Sequence, residues 1–383
     1  MRGDVFTAGK LAAIATLAFG VALAVCGCGG GERRGGTAPP VNPPVPTVAA
    51  GHIGDGAAHG GRDPYLFAYL REGGSAIDDA LFSMMGRFES RLNVVMTQSA
   101  IDGETDVKAA VDELAASGVD GLIISASSED MYAVNDYCNE LDMPRMYVFD
   151  VPRSADGAAL AAGMELGMAS VGQFMADWLD SYARRAWGDG YVPEKTGLIT
   201  AAWHGDKKAA GINEGISLRV MELYPELAGN IIDAGAALYA GPPEEAAYNA
   251  IYMSLITFRG VDRWLIPCTS DEFGIAAALA SERLGISDRV LIISPGMDAV
   301  YEYWDKDPGS HLAAAVAIES PVNAGTALSG LVALCDGRAD MFTLWQDIRR
   351  PGDAASIFKG RLRAVTREDR AEYSEYVSGM LGQ

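Results

Sequence analysis

Four aspartates follow directly after apolar segments of the sequence, where their carboxylates could accept hydrogen bonds from the hydroxyls of a polar ligand. An aspartate in this position is often only the N-cap of the next helix, so one alone decides little. Four in equivalent positions predict carboxylates that converge on one cleft. These residues are Asp150, Asp206, Asp271 and Asp298.

Short apolar runs alternate with longer amphipathic stretches from residue 63 onward. Apolar runs separated by helices are typical of parallel sheets with helices on both faces. The predicted strands are 65–70, 93–97, 121–125, 145–149, 196–201, 230–236, 264–268, 289–294 and 313–318. The predicted helices are 76–91, 105–117, 131–141, 168–187, 207–224, 243–258, 272–284 and 299–303.

The length of this folded body sets the number of lobes. Roughly 320 residues of such units are more than a single hydrophobic core usually contains. We therefore predict an α/β protein of two doubly wound, Rossmann-like parallel-sheet lobes. Ligands of open parallel sheets bind beyond the carboxyl ends of the strands, which is where the four aspartates stand.

The first 62 residues have a different character from the body. An apolar run, Leu11–Val25, follows two basic residues and ends at two closely spaced cysteines, as in a bacterial lipoprotein signal peptide. Gly27 before Cys28 favours Cys28 as the lipidated residue, with Cys26 as the alternative. We therefore predict a signal peptide over 1–27 and a flexible Gly- and Pro-rich tether over 28–62. An ordinary export signal is the other interpretation, and in both cases the mature chain leaves the cytoplasm.

Composition excludes several classes of function. The chain has 30 Lys and Arg against 51 Asp and Glu, a net charge of −21, which disfavours a nucleic-acid partner. The sequence contains no GxSxG, HExxH or GxxxxGK[ST] motif, so we predict neither an enzyme nor a cofactor or metal site.

Cys138, Cys268 and Cys335 are widely spaced, which favours free thiols and leaves one disulfide open.

Three segments resemble a known family. Residues 111–125 are similar to the second helix–strand unit of the periplasmic sugar-binding proteins of ABC transporters, in the arabinose-, ribose- and glucose/galactose-binding group. Residues 271–278 and 296–300 resemble a helix start and a Gly-x-Asp-Ala element of that family. The likeness runs from about residue 63 to residue 348. It implies a type I periplasmic binding protein: a monomer whose lobes close by hinge motion on a monosaccharide and present it to an ABC permease.

The resemblance also implies which side chains line the cleft. It places carboxylates and other polar groups at strand ends, and aromatic rings where they can stack on a sugar. In the first loop, which lacks the family's aromatic and acidic pattern, two residues take the place of that pattern. The residues are Asp150, His204, Asp206, Ser270, Asp271, Asp298 and Glu319; Tyr239 and Trp203; and Arg71 and Glu72. Trp203 could equally pack at the lobe interface. Ala210 stands where the family has a clamping arginine, so the sugar stays unidentified and another polar solute stays open.

The family's hinge implies that each lobe is discontinuous in sequence. We predict an N-terminal lobe of 63–165 plus 295–322 and a C-terminal lobe of 166–294 plus 323–383. The three chain crossings are expected near 163–166, 294–296 and 320–322.

Two other functions remain as alternatives. A ligand sensor or chemotaxis co-receptor, for a sugar, a nucleoside or another small polar solute, needs the same closing cleft as a transport protein. An α/β enzyme would need a base, for which His204 with Asp206 is a candidate pair, although their spacing matches a hydroxyl-binding pattern better.

Overall fold

The computed structural model describes residues 63–72, 75–101, 107–126, 128–236, 242–258, 260–307, 309–345 and 355–382. The predicted signal peptide, the tether and Cys28 lie outside the described residues. No helix in the described part is long and apolar enough to cross a membrane.

Two six-stranded sheets form the part of the body that the structure describes, with strands numbered in chain order. The first sheet has the order β11-β5-β4-β3-β1-β2 and is parallel throughout. Its strands are β1 (Tyr65–Glu72), β2 (Val94–Ile101), β3 (Gly121–Ser125), β4 (Arg145–Phe149), β5 (Gly163–Glu165) and β11 (Ile357–Lys359).

The second sheet has the order β12-β10-β9-β8-β6-β7 and is parallel except for β12, which runs antiparallel to β10. Its strands are β6 (Thr196–Thr200), β7 (Ile231–Asp233), β8 (Arg263–Pro267), β9 (Val290–Pro295), β10 (Leu312–Ala317) and β12 (Arg363–Thr366). The predicted architecture of two parallel-sheet α/β lobes is confirmed.

Helices cover the sheets, and every residue of β3, β4, β6 and β9 is buried. Such complete burial explains why these strands read as continuous apolar runs rather than alternating ones. The helices are α1 (Ala76–Gly86), α2 (Glu89–Leu92), α3 (Val107–Ala116), α4 (Ser128–Glu140), α5 (Met168–Trp187), α6 (Lys207–Leu223), α7 (Pro243–Thr257), α8 (Asp271–Arg283), α9 (Asp298–Lys306), α10 (Pro321–Cys335) and α11 (Arg370–Leu381).

The chain passes between the two sheets three times: from β5 to α5, from β10 to α10, and from β11 to β12. The predicted division of the lobes is wrong for 295–322, because β10 pairs with β9 in the second sheet. It is also wrong for the segment from 323 to 359, since α10 packs on α1, β3 and β4, and β11 extends the first sheet. Strand β12, later in the chain, pairs with β10 in the second sheet. The second crossing therefore follows β10 and not β9. We call the first sheet with the helices that cover it the first lobe, and the second sheet with its helices the second lobe.

Asn323 joins two of these crossings. Its side chain is fully buried, and its Nδ2 donates to the carbonyl oxygens of Ile318, at 2.7 Å, and Arg361, at 3.0 Å. Its Oδ1 accepts from the Arg361 amide at 2.8 Å. One amide thus holds the crossing after β10 beside the crossing after β11.

The three cysteines in the described residues, Cys138, Cys268 and Cys335, form no disulfide with one another. Cys138 and Cys268 are buried, and desolvation raises the pKa of the Cys138 thiol to about 11 and that of Cys268 higher still. Both therefore stay protonated and behave as small apolar side chains.

Helices α5 and α6 approach closely at two glycines. A Cβ on Gly215 would overlap the carbonyl oxygen of Ala169, and one on Gly172 would overlap that of Ile212. Each glycine therefore permits backbone contact between the two helices.

Replacing Gly215 by alanine should separate these helices and lower the free energy of unfolding by about 1–3 kcal/mol, as overpacking does. The matched control is Gly379→Ala in α11, where an added Cβ meets no heavy atom within 4 Å. The control should be neutral or gain up to about 1 kcal/mol from helix propensity. Urea unfolding of both variants measures the difference, and equal stability of the two would contradict the close contact.

Candidate functional site

A cavity of about 330 Å³ lies between α1 of the first lobe and the strand ends of the second lobe. This volume is at the lower end of the range of small-molecule sites. The first lobe contributes Ile77, Asp79, Ala80, Ser83, Met84 and Arg87, and the second contributes 269–272 and 295–299, with Ile318 and Glu319 from the crossing after β10.

The second-lobe wall consists of polar groups at three adjoining strand ends. Ser270 follows β8 and is only 3% exposed, and its Oγ has no hydrogen-bond partner. Two residues later, Glu272 has a buried Oε2 that is likewise without a hydrogen-bond partner. Glu319 follows β10 and is 6% exposed. Buried polar groups are normally hydrogen-bonded, so these unpaired atoms indicate a place for a ligand.

A glycine after β9 makes room for Asp271 in this wall. Gly296 has a φ of +92°, and a Cβ there would lie 3.0 Å from the Asp271 carboxylate and from its Cβ. Both the left-handed backbone and the close approach favour glycine at this position. The turn after β9 therefore positions the Asp271 side chain.

Desolvation dominates the electrostatics of the wall. The pKa of the Glu319 carboxyl is raised to about 7, chiefly by burial; nearby Asp298 contributes to the rise, and backbone hydrogen bonds oppose it. Burial also raises the pKa of Asp271, where repulsion from the Glu272 carboxylate adds to the effect and the hydrogen bond from the Glu272 amide, at 3.0 Å, opposes it. Near neutral pH these groups can donate as well as accept hydrogen bonds.

An ion pair spans the cavity between the lobes. Arg87, directly after α1, donates to the Asp298 carboxylate at 3.1 Å, and both side chains are exposed, by 41% and 77%. On the first-lobe side, the Asp79 carboxylate lies 2.7 Å from Arg71. Exposed pairs of this kind contribute little stability, so they position groups more than they hold the lobes together.

A second contact between the lobes lies beyond the ends of β1, β3 and β4. Lys208 of α6 reaches the fully buried carboxylate of Asp78 at 2.5 Å and the Ser125 Oγ at 2.9 Å. The same carboxylate accepts from the Tyr69 hydroxyl at 2.8 Å and from Ser125 at 2.7 Å. The lysine ammonium also lies 5.2 Å from the centroid of the Phe149 ring. The Asp78 carboxylate of this ion pair is thus buried and hydrogen-bonded by three groups, and the Lys208 side chain is 19% exposed.

The structure brings four of the predicted site residues together in the cavity: Ser270, Asp271, Asp298 and Glu319. Arg71 stands behind Asp79 and does not line the cavity. These four residues come from three neighbouring strand ends of one sheet, as the rule for parallel sheets predicts.

The other predicted residues lie elsewhere. Asp206 is the N-cap of α6 and accepts from the amides at 208 and 209, at 2.9 and 3.0 Å. Trp203 is 7% exposed and packs on Phe273 in the second-lobe core, with ring centroids 4.8 Å apart. His204 is exposed, with its ring against Gly235. None of the three lines the cavity.

Asp150 is exposed at the end of β4 and does not line the cavity. Desolvation raises the pKa of its carboxyl, while Lys208 opposes that shift. Tyr239 and the side chain of Glu72 lie outside what the structure describes.

Sequence reasoning missed the contribution of α1 to the cavity. Asp79 and Arg87 lie on a helix face and not at a strand end, so the strand-end rule could not find them. The adjacent acids Asp78 and Asp79 in the first turn of α1 were the available signal. Lys208 was also missed, although it lies two residues before Ala210, where the resemblance expects an arginine.

Comparison with known proteins identifies the architecture. No protein-family model and no curated protein sequence matches the chain. Solved structures do match. A periplasmic solute-binding protein of an ABC transporter from Actinobacillus succinogenes, with bound D-allose, has a TM-score of 0.57 at 14% identity, over 81% of this chain and 100% of that one. The fold is that of the type I periplasmic binding proteins.

Further neighbours share this type I fold. A Caulobacter myo-inositol-binding protein bound to myo-inositol has a TM-score of 0.57 at 14% identity, covering 82% of this chain and 97% of that one. A protein from Bacteroides fragilis described as a LacI transcriptional regulator has a TM-score of 0.55 at 14% identity, covering 81% and 100%. At this identity the likeness shows the fold, and the same fold carries both transport and regulatory proteins.

Replacing Glu319 by glutamine should make stability less dependent on pH. Because the folded-state pKa is raised from 4.5 to about 7, the folded wild type binds more protons than the unfolded chain between these values and loses stability as pH rises through them. The ionised form carries a penalty of about 3 kcal/mol. Urea unfolding at about pH 5 and about pH 8 should show a smaller loss for Glu319→Gln than for the wild type.

The control for this experiment is Glu302→Gln on the outer surface of α9, where the Glu302 side chain is 73% exposed. It should retain the wild-type pH profile. Asp271 titrates in both proteins, so the difference between the profiles reports on Glu319. Identical profiles for Glu319→Gln and the wild type would show that this carboxyl is not buried in the folded protein.

Replacing Lys208 by methionine should open the lobes of the ligand-free protein. The variant leaves the buried Asp78 charge unpaired, a loss of about 3–5 kcal/mol unless water reaches the carboxylate. Lobe opening admits that water, so small-angle scattering should show a larger radius of gyration. Lys195→Met, at a side chain that is 63% exposed, is the control and should scatter like the wild type. An unchanged radius for Lys208→Met would mean that the pair does not hold the lobes.

Proposed function

We propose that this protein is an extracytoplasmic solute-binding lipoprotein that captures a sugar or a similar small polar solute between its lobes and delivers it to an ABC permease. The observation that carries the proposal is the cavity between the lobes, lined by buried polar groups with unsatisfied hydrogen-bonding capacity. The proteins of the same fold that hold D-allose and myo-inositol support it.

The chemistry of the cavity suits a polyhydroxylated ligand. The Ser270 hydroxyl and the carboxyls of Asp271 and Glu319 can exchange hydrogen bonds with sugar hydroxyls. Ile77 and Met84 on α1, opposite that wall, offer apolar contact to the C–H face of a ring. A sugar would therefore find polar partners on one lobe and an apolar surface on the other.

Lobe closure follows from the same arrangement. Arg87 and Asp298 come from opposite lobes and meet at the cavity, so opening the hinge separates them and exposes the second-lobe wall. A ligand that bridges the two walls binds the closed form better and shifts the population toward it. Closure then signals a loaded protein to the permease.

Membrane attachment is the remaining part of the proposal. Lipidation of Cys28 would tie the folded body to the membrane through residues 28–62, on the periplasmic or outer side. Binding and release need no covalent chemistry, and the lining of this cavity, all within the described residues, includes neither histidine nor cysteine.

Ser270→Ala tests the site. A hydrogen bond from a buried hydroxyl contributes about 1 kcal/mol, so the affinity for a bound sugar should fall by about fivefold. Stability should stay equal or rise, because the variant removes a buried hydroxyl that has no partner within the protein. Calorimetric titration with a panel of monosaccharides and polyols gives the affinity, and thermal unfolding gives the stability.

The matched control is Ser281→Ala near the other end of α8. The Ser281 Oγ is fully buried and donates to the Ala278 carbonyl at 2.8 Å, away from the cavity. It should lower stability and leave affinity unchanged. If no monosaccharide or polyol stabilises the full chain, the proposed function is wrong. If Ser270→Ala binds as well as the wild type, the ligand occupies another place.

A further inference from the structure

The charges that line the cavity are strongly unbalanced. Six charged residues contribute to the lining, of which five are acidic and one, Arg87, is basic. Arg87 forms an ion pair with Asp298, and Asp79 forms one with Arg71, which does not line the cavity. A neutral sugar would leave this acidic excess in place when the lobes close over it.

Three of the carboxyls have no positive partner. Among the described residues, no lysine or arginine lies within ion-pair distance of Asp271, Glu272 or Glu319. The N-terminus of α8 favours the negative charge of the first two. Glu319 directly precedes the N-cap of α10, and backbone hydrogen bonds lower its pKa, but none of these groups carries a full positive charge. Closing the cavity around them removes water that would otherwise screen their repulsion.

A second observation is independent of the charges. The Ser270 Oγ lies in the same wall, is buried to more than nine-tenths and has no hydrogen-bond partner. A hydroxyl can accept a hydrogen bond as well as donate one, so it suits an N–H donor that also faces the carboxyls. The wall therefore suits a ligand group that carries a positive charge and several hydrogen-bond donors.

An organic amine fits this wall better than a metal ion does. No set of three or more Asp, Glu, His or Cys residues in the described ranges is arranged to coordinate a metal. The cavity has the volume of a small-molecule site, and Ile77, Met84 and Met297 offer apolar contact to a carbon skeleton. An ammonium group donates three hydrogen bonds and can be shared among separated carboxyls without metal geometry.

We propose that the solute of this site carries a protonated amine on a polyhydroxylated skeleton, as in an amino sugar, with its ammonium group held by Glu319, the Asp271–Glu272 pair and Ser270. This inference rests on the proposed function and names the class of its ligand. The hydroxyls of the solute face the remaining polar groups, and its C–H surface contacts α1.

Calorimetric titration of the full-length protein with matched sugars tests the charge. The probes are glucose, galactose and mannose, each with its 2-amino-2-deoxy analogue and the neutral N-acetyl derivative of that analogue. A charge-assisted hydrogen bond should make at least one amino sugar bind about tenfold or more tightly than its parent. The matching N-acetyl derivative should lose that advantage, since it keeps the nitrogen and lacks the charge.

Two variants locate the charge recognition. Glu319→Gln and Asp271→Asn should each lower the ratio of the affinity for the amino sugar to the affinity for its parent by about tenfold. Because both residues also face the hydroxyls of the sugar, the ratio and not the affinity for the parent is the quantity that reports on the charge. Glu282→Gln, an exposed position near the opposite end of α8, is the control and should keep the wild-type preference. An unchanged preference in both cavity variants would overturn the assignment.

The failures of the two proposals are distinguishable. If parent sugars bind as tightly as their amino analogues in every pair, the cationic ligand is excluded and solute binding stands. If none of the nine compounds binds the full chain, the amino-sugar assignment is overturned, and the wider panel of monosaccharides and polyols decides separately whether the proposed function is wrong.

Discussion

The buried amide of Asn323 is the constraint on which the two-lobed arrangement depends. It fixes the crossing after β10 to the crossing after β11 through three hydrogen bonds, so the two connections move together. Glu319 lies in the same crossing, four residues earlier, and lines the cavity. A ligand that contacts Glu319 therefore acts directly on the hinge. Binding is then coupled to lobe movement without a long series of intermediate contacts.

The two ion pairs between the lobes differ in their surroundings, and this difference explains where the cavity lies. Lys208 and Asp78 form a largely buried pair beyond the ends of β1 and β3, with further hydrogen bonds from Tyr69 and Ser125, so protein atoms occupy that part of the cleft. Arg87 and Asp298 form an exposed pair that water can separate at little cost. The space left for a solute is consequently on the side of α1, α8 and α9.

Much of the fold could be predicted from the sequence, since strands such as β3, β4 and β9 are apolar throughout and stand out at once. Helix α10 was missed because it is apolar on nearly all sides and shows little periodicity, and β5, β11 and β12 were missed because they have only three or four residues. Missing α10 misplaced the lobe boundary. Ser270 and Glu319 were predictable as strand-end residues, whereas Arg87 depends on the packing of a helix against the other lobe.

The acidic wall shows how binding and stability oppose each other at this site. Burial of Glu319 and Asp271 raises the pKa of each carboxyl, which means that the ionised wall destabilises the closed protein near neutral pH. An unpaired hydroxyl at Ser270 adds to that cost. Groups that destabilise the empty closed form are stabilised by a ligand that neutralises them, so the same residues favour an open protein before binding and a closed one after it.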